Sequence, residues 1–139
     1  MKKGQFLSLE QMFLFTIGLI IAVSIFLAFS KITDNVRNMT DEDQMKEIGD
    51  MVLAGITNVF VSDTDYASLN MNIPKKISGK GYKVKIDGKE IIVELDEKET
   101  RIPLTGLNES YNIGGEVFSS VETILIEKTP GNIVVGKYV

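Results

Sequence analysis

Two kinds of hydrophobic pattern follow one another along this chain. From Gln11 to Ser30 there are twenty residues without a charge, fifteen of them hydrophobic, and Met12–Phe29 is apolar on every helical face. Twenty helical residues at ~1.5 Å rise span ~30 Å, the thickness of a bilayer's hydrocarbon core. A helix buried in a soluble domain of this size keeps a polar stripe. This run has none, so lipid or a dry helix bundle is its predicted surrounding. After Ser30 the pattern stays helical and becomes amphipathic. Ile32, Val36, Met39, Met45, Ile48, Val52, Ile56, Val59 and Phe60 recur mostly at spacings of three and four, with Asp34, Arg37, Asp41, Glu42, Lys46, Glu47 and Asp50 on the other faces. The spacing predicts a near-continuous helix from about Leu7 to about Phe60, its second half covering a sheet. Thr40, followed by Asp41, Glu42 and Asp43, is also a candidate N-cap at which a separate segment would begin with an acidic first turn. Ser62-Asp63-Thr64-Asp65 ends the helical pattern.

From there the period changes to two. Tyr82, Val84 and Ile86 alternate with Lys83 and Lys85; Asp87-Gly88 follows; then Ile91, Val93 and Leu95 alternate with Ile92 and Glu94. Asp-Gly between alternating runs predicts a hairpin with a type I′ turn, which sets Lys85 opposite Glu90, Val84 opposite Ile91 and Tyr82 opposite Val93. One face then collects Tyr82, Val84, Ile86, Ile91, Val93 and Leu95, and the other pairs Lys85 with Glu90 in water. Thr100–Leu104 reads as a further strand, confined by Pro103 to an edge or a strand end. Leu69–Ile73 reads as a first strand ended by Pro74, and Asn108–Gly115 as loop. Glu122–Lys128 and Ile133–Val139, joined by Thr129-Pro130-Gly131-Asn132, form a second hairpin. The predicted fold class is α+β: a long N-terminal helix, hydrophobic then amphipathic, packed on a small antiparallel head of five or six strands.

Composition narrows the chemistry. The 139 residues contain no cysteine and no histidine. Disulfide scaffolds, thiolate and Ser–His nucleophiles, and Cys- or His-ligated metals are therefore excluded. A net charge of −4 argues against phosphate-backbone binding, and no specific nucleic-acid partner is expected. Asp63-Thr64-Asp65 begins like an EF-hand loop but lacks its central glycine and closing glutamate. Glu94, Asp96, Glu97 and Glu99 read as a solvated run at a turn. Lys75, Lys76, Lys80, Lys83 and Lys85 read as a solvated basic strip. No cofactor or metal site and no catalytic residue is expected, and the chain does not read as an enzyme.

Lys2-Lys3-Gly4-Gln5-Phe6-Leu7-Ser8-Leu9-Glu10 carries the most information. Lys2 and Lys3 before an apolar helix place the N-terminus in the cytoplasm and the remainder outside. A carboxylate at the mouth of a membrane helix is costly in lipid and usually has a partner. A peptidase cut just upstream would create an α-ammonium that Glu10 of another copy could neutralise in a bundle of such helices. The segment resembles the class III signal peptide of type IV pilin-like proteins, in particular the archaeal branch, where a basic pair and glycine precede Gln, Ser-Leu-Glu and the helix. Weaker similarity runs through Ile73-Pro74, Lys75-Lys76, Ile77-Ser78-Gly79 and Tyr82, and through the terminal Pro130-Gly131-Asn132 turn.

The resemblance implies cleavage by a prepilin peptidase on the cytoplasmic side, between Gly4 and Gln5 or, as second choice, between Gln5 and Phe6. The family's acid is usually fifth in the mature chain. The first cut makes Glu10 sixth; the second makes it fifth but forfeits the small residue before the cut. Residues 1–4 are then a leader, 5–30 the transmembrane and assembly helix, 31–62 its amphipathic continuation and 63–139 the head. The implied function is a major or minor pilin, inserted in the membrane and then polymerised with other pilin subunits into an extracellular filament. The alternative is a surface binding protein held permanently by a single membrane helix. If the chain beyond Ser30 is extracellular, the sequons at Asn38 and Asn108 are glycosylation acceptors, the loop-borne Asn108 the better one.

Overall fold

A computed structural model describes residues 2–138, and their side chains from Ser8 onward. Expectations for the side chains of Lys2, Lys3, Gly4, Gln5 and Phe6, and for Val139 at the end of the last strand, lie outside the described ones. Helix α1 is Lys2–Val61. It runs through Thr40 as helix, so Thr40 caps no new segment; neither glycine nor proline occurs between Lys31 and Ile48 to interrupt it. The chain divides into two units, one ending at Met39 and one, the head, beginning at Thr40.

Within the head, Met45, Ile48, Val52, Ile56 and Val59 of α1 are buried, a stripe at intervals of three and four. At about 1.5–3 kcal/mol per buried side chain, these five contribute on the order of 10 kcal/mol, an upper estimate. The helix lies close on the sheet where it carries glycine. A methyl group on Gly49 would collide with Ile102, and one on Gly55 would lie 2.6 Å from Ile126 and 3.1 Å from Met71.

The sheet has seven strands: β1 (Ala67–Asn72), β2 (Lys83–Ile86), β3 (Glu90–Leu95), β4 (Lys98–Pro103), β5 (Asn112–Phe118), β6 (Thr123–Thr129) and β7 (Asn132–Lys137). Their order is β1-β6-β7-β5-β2-β3-β4. All neighbours are antiparallel except β5 and β7, which run parallel with Ile113 beside Ile133. The α+β expectation holds, with the helix on a mostly antiparallel sheet. Pro103 ends an edge strand, as expected.

Three expectations are corrected. Part of the stretch read as loop, Asn108–Gly115, belongs to strand β5, which lies between β7 and β2. Consecutive glycines Gly114 and Gly115 broke the alternation that marks a strand, and the fold needs the second of them. Gly115 has φ 145°, and a Cβ there would collide with the Val135 carbonyl. The first hairpin is shifted by two residues: Ile86 faces Ile91, Lys85 faces Ile92 and Val84 faces Val93. Gly88 alone takes positive φ, 92°, so it occupies the first central position, as in a type II′ turn. The Asp87 carboxylate accepts the Lys89 and Glu90 amides, each at 3.2 Å, which fixes Asp87 as the flanking residue. Lys85 and Glu90 therefore do not pair, and Glu90 accepts instead from Arg101 at 2.5 Å. A shift of two preserves the faces, and Tyr82, Val84, Ile86, Ile91, Val93 and Leu95 are all buried as read. Third, Ile32, Val36 and Met39 are 58%, 57% and 67% exposed; they lie in the first unit, which contains no second element to cover them.

Two side chains tie α1 to the sheet. Asp41 accepts from Ser78 Oγ at 2.5 Å and from Lys98 Nζ at 2.8 Å. It is therefore a fastening within the head and no part of a helix start. Lys128 on β6 is 5% exposed; its ammonium donates to the carbonyls of Phe60 at 3.1 Å and Ser62 at 2.8 Å, and lies 5.3 Å from the Tyr111 ring centroid. A cation at the last turn satisfies orphan carbonyls and faces the negative end of the helix dipole.

Candidate functional site

The first unit offers a surface rather than a pocket. Met12, Phe13, Leu14, Phe15, Ile17, Leu19, Ile20, Ile21, Val23, Ile25, Phe26, Leu27 and Phe29 are all exposed, so every face of this stretch is apolar and open. It is long and apolar enough to cross a membrane. The few polar side chains in it are satisfied locally. Thr16 Oγ1 donates to the Met12 carbonyl at 2.8 Å, Ser24 Oγ to that of Ile20 at 2.8 Å, and Thr33 Oγ1 to that of Phe29 at 3.0 Å. A hydroxyl bonded four residues back removes its own desolvation cost, so the stretch can leave water without another polar partner. Nothing lies within 4 Å of where a Cβ on Gly18 would be, which leaves one place on the cylinder open to close approach.

Glu10 stands exposed at the start of this surface, and helical spacing makes Phe13 and Leu14 its neighbours. It is the one acid before Asp34, so its carboxylate is the only negative charge within the apolar cylinder or at its mouth. Asn38 is exposed on α1, in helical backbone; Asn108 is exposed in the turn after β4. The two sequons therefore present different backbones to a transferase.

Three lysines of the basic strip are paired with acids: Lys75 with Glu122 just before β6, Lys80 with Asp96 in the β3–β4 turn at 2.6 Å, and Lys83 with Glu116 of β5 at 2.9 Å. Lys83 also lies 5.6 Å from the Phe118 ring centroid. A depression of about 380 Å³ beside Tyr82, Glu94, Asp96 and Phe118 is open to solvent. Among the described residues no group of three or more carboxylates is placed to hold a metal ion. Hydrogen bonds from Lys98 and Ser78 hold the Asp41 carboxyl below its ordinary value of 3.8. Burial pushes the Tyr82 hydroxyl up to about 12, and it donates to the Pro74 carbonyl at 2.5 Å. Both groups are engaged in holding the head together. The Asp41 and Lys128 contacts were not readable from the sequence, because their partners lie 37 to 68 positions away.

No protein-family model, curated protein or solved structure matches the chain.

Proposed function

We propose that the chain is a structural subunit, a major or minor pilin, of an extracellular type IV pilus-like filament. The observation that carries this reading is the apolar cylinder of α1, exposed on all sides and internally satisfied in its hydroxyls, in a chain whose head has a core of its own. Such a surface needs a nonaqueous partner on every face. A bilayer supplies one before assembly, and a bundle of identical helices supplies one afterwards. The leader resemblance favours the second destination. A prepilin peptidase cuts between Gly4 and Gln5, or between Gln5 and Phe6, and the helix stays attached. Glu10 then meets the new α-ammonium of a neighbouring subunit, a charge pair strengthened by dry surroundings. The head remains outside the cell, where Asn108 in its exposed turn is the better glycan acceptor. No catalysis is assigned to the chain.

Mass spectrometry of the mature N-terminus tests this reading. Chains beginning at Gln5 or Phe6, and dependence of that processing on a prepilin peptidase, are expected. A chain that keeps Met1 or Lys2 whether or not the peptidase is present overturns the reading in favour of a permanently anchored surface protein. Glu10→Ala is expected to leave insertion intact and reduce filament yield; unchanged yield removes the neutralising role alone.

A further inference from the structure

The sheet has two ends, and they differ. Edge strand β4 carries Lys98, Glu99 and Arg101 and closes on Pro103, the residue types that discourage pairing with another strand. Edge strand β1, Ala67-Ser68-Leu69-Asn70-Met71-Asn72, has neither a charge nor a proline. Its inward side chains Ala67, Leu69 and Met71 are only half-buried, whereas the corresponding residues Ile124 and Ile126 on neighbouring β6 are fully buried. The core is thus incompletely covered along this one edge. The flanks of β1 are charged with opposite sign: Asp63 and Asp65 precede it, and Lys75 and Lys76 follow Pro74.

We infer that β1 docks on β1 of a second copy of this chain as an antiparallel pair, with Asn70 on the two-fold axis. Antiparallel pairing sets the acidic flank of each copy against the basic flank of the other, whereas parallel pairing sets like charges together. Residues opposite one another share a face, so a two-fold pair admits only registers in which inward residues meet inward ones. With Asn70 opposite Asn70, Leu69 meets Met71 on the inward face, Ser68 meets Asn72 on the outward face, and Asp65 comes level with Lys75. The carboxamides on the axis are each donor and acceptor and can bond to one another. Lys75, already paired with Glu122 of its own chain, then lies between two carboxylates. One strand seam buries less than the ~1,200–2,000 Å² of stable interfaces, so the contact forms where chains are held at high local concentration. A two-fold contact has no place inside a polar helical filament. It joins heads of separate filaments or of separate anchored chains, and so does not depend on the filament reading.

Because the chain has no cysteine, single-cysteine variants of the full chain test the register directly. The variants are reconstituted in phosphatidylcholine vesicles and oxidised with copper phenanthroline. Paired Cα atoms in an antiparallel seam lie ~4.5–5.5 Å apart, within disulfide reach, whereas homologous atoms two residues off the axis are ~14 Å apart. Asn70→Cys is expected to give about tenfold more disulfide dimer than Ser68→Cys, Asn72→Cys or Glu99→Cys alone. A mixture of Ser68→Cys and Asn72→Cys chains is expected to cross-link as Asn70→Cys does. Adding Asp65→Lys to Asn70→Cys should lower the yield, and Lys75→Asp on the same chain should restore it. Equal yields at all four positions, as association through α1 alone would give, overturn the proposal. So does capture of Asn70→Cys in cells in an adduct whose mass is not twice that of the chain. Neither result bears on the N-terminal processing.

Discussion

The two units of this chain spend their hydrophobic residues in opposite ways. In the first, Leu9 to Met39, the large apolar side chains of α1 are exposed all round; in the head, Met45, Ile48, Val52, Ile56 and Val59 of the same helix are at most 4% exposed. Helical spacing and residue types overlap at the boundary: Ile32, Val36 and Met39 continue the three-and-four rhythm yet stay uncovered. A hydrophobic stripe becomes a core only where another element faces it, here the sheet. Where none exists within the unit, the apolar surface is left for something outside the chain, and that is why the first unit, rather than any depression in the head, carries the functional reading.

Substitutions can sharpen this contrast, each read as stability of the head in detergent micelles by thermal or urea unfolding. The largest loss is expected from Gly115→Ala, since a Cβ would strike the Val135 carbonyl at positive φ. The expected cost is on the order of 4 kcal/mol or more, enough to prevent folding of the head. Next comes a matched pair. Ile126→Ala, in a fully buried position, is expected to cost about 2–5 kcal/mol. Ile20→Ala, 57% exposed on the first unit, is expected to leave head stability within ~0.5 kcal/mol while lowering filament yield. Equal effects on head stability would contradict the difference in burial between the two units. Lys128→Met, which removes the ammonium from the Phe60 and Ser62 carbonyls, is expected to cost about 1–2 kcal/mol and to raise amide exchange in the last turn of α1.

The smallest effect belongs to Asp41, which lies outside the apolar run. Its carboxyl is held below 3.8 by Lys98 and Ser78, so protons bind the unfolded state more readily than the folded one. Its contribution is present above about pH 4 and fades as pH falls through its lowered folded value. Asp41→Asn should therefore reduce the melting temperature at pH 6 and reduce it less at pH 2.5. A reduction of equal size at both pH values would deny the ion pair its part.

What the sequence made legible was local. The buried stripe of α1, the inward set Tyr82 to Leu95 and the edge position of Pro103 all follow from side-chain period or from one residue's missing N–H. The Pro130-Gly131 turn was readable on the same terms, with Gly131 at φ 83°. What escaped was decided by contacts distant in sequence or by glycine. Strand β5 is disguised by the glycine that its approach to Val135 requires, and with it went the parallel β5–β7 pair. The hairpin register turned on whether Asp87 or Gly88 took the first central position of the turn, and the Asp87 carboxylate settled it by bonding two amides ahead. Asp41 looked like a helix start because its partners, Ser78 and Lys98, are 37 and 57 residues away. At the candidate site the apolar run and Glu10 were legible in full, since composition alone defines them. Its extension to Met39 was not, because period alone does not say whether a stripe has something to meet.

In the proposed filament the first unit is buried against copies of itself once it has left the membrane. The most direct measurement is to shear the cell surface, pellet the released material free of membranes, and identify its protein by peptide mass. If the chain is a pilin, it is expected in lipid-free filaments with the stretch from Phe6 to Phe29 intact. Recovery of the chain solely in the membrane fraction, under conditions in which filaments are released, would contradict it.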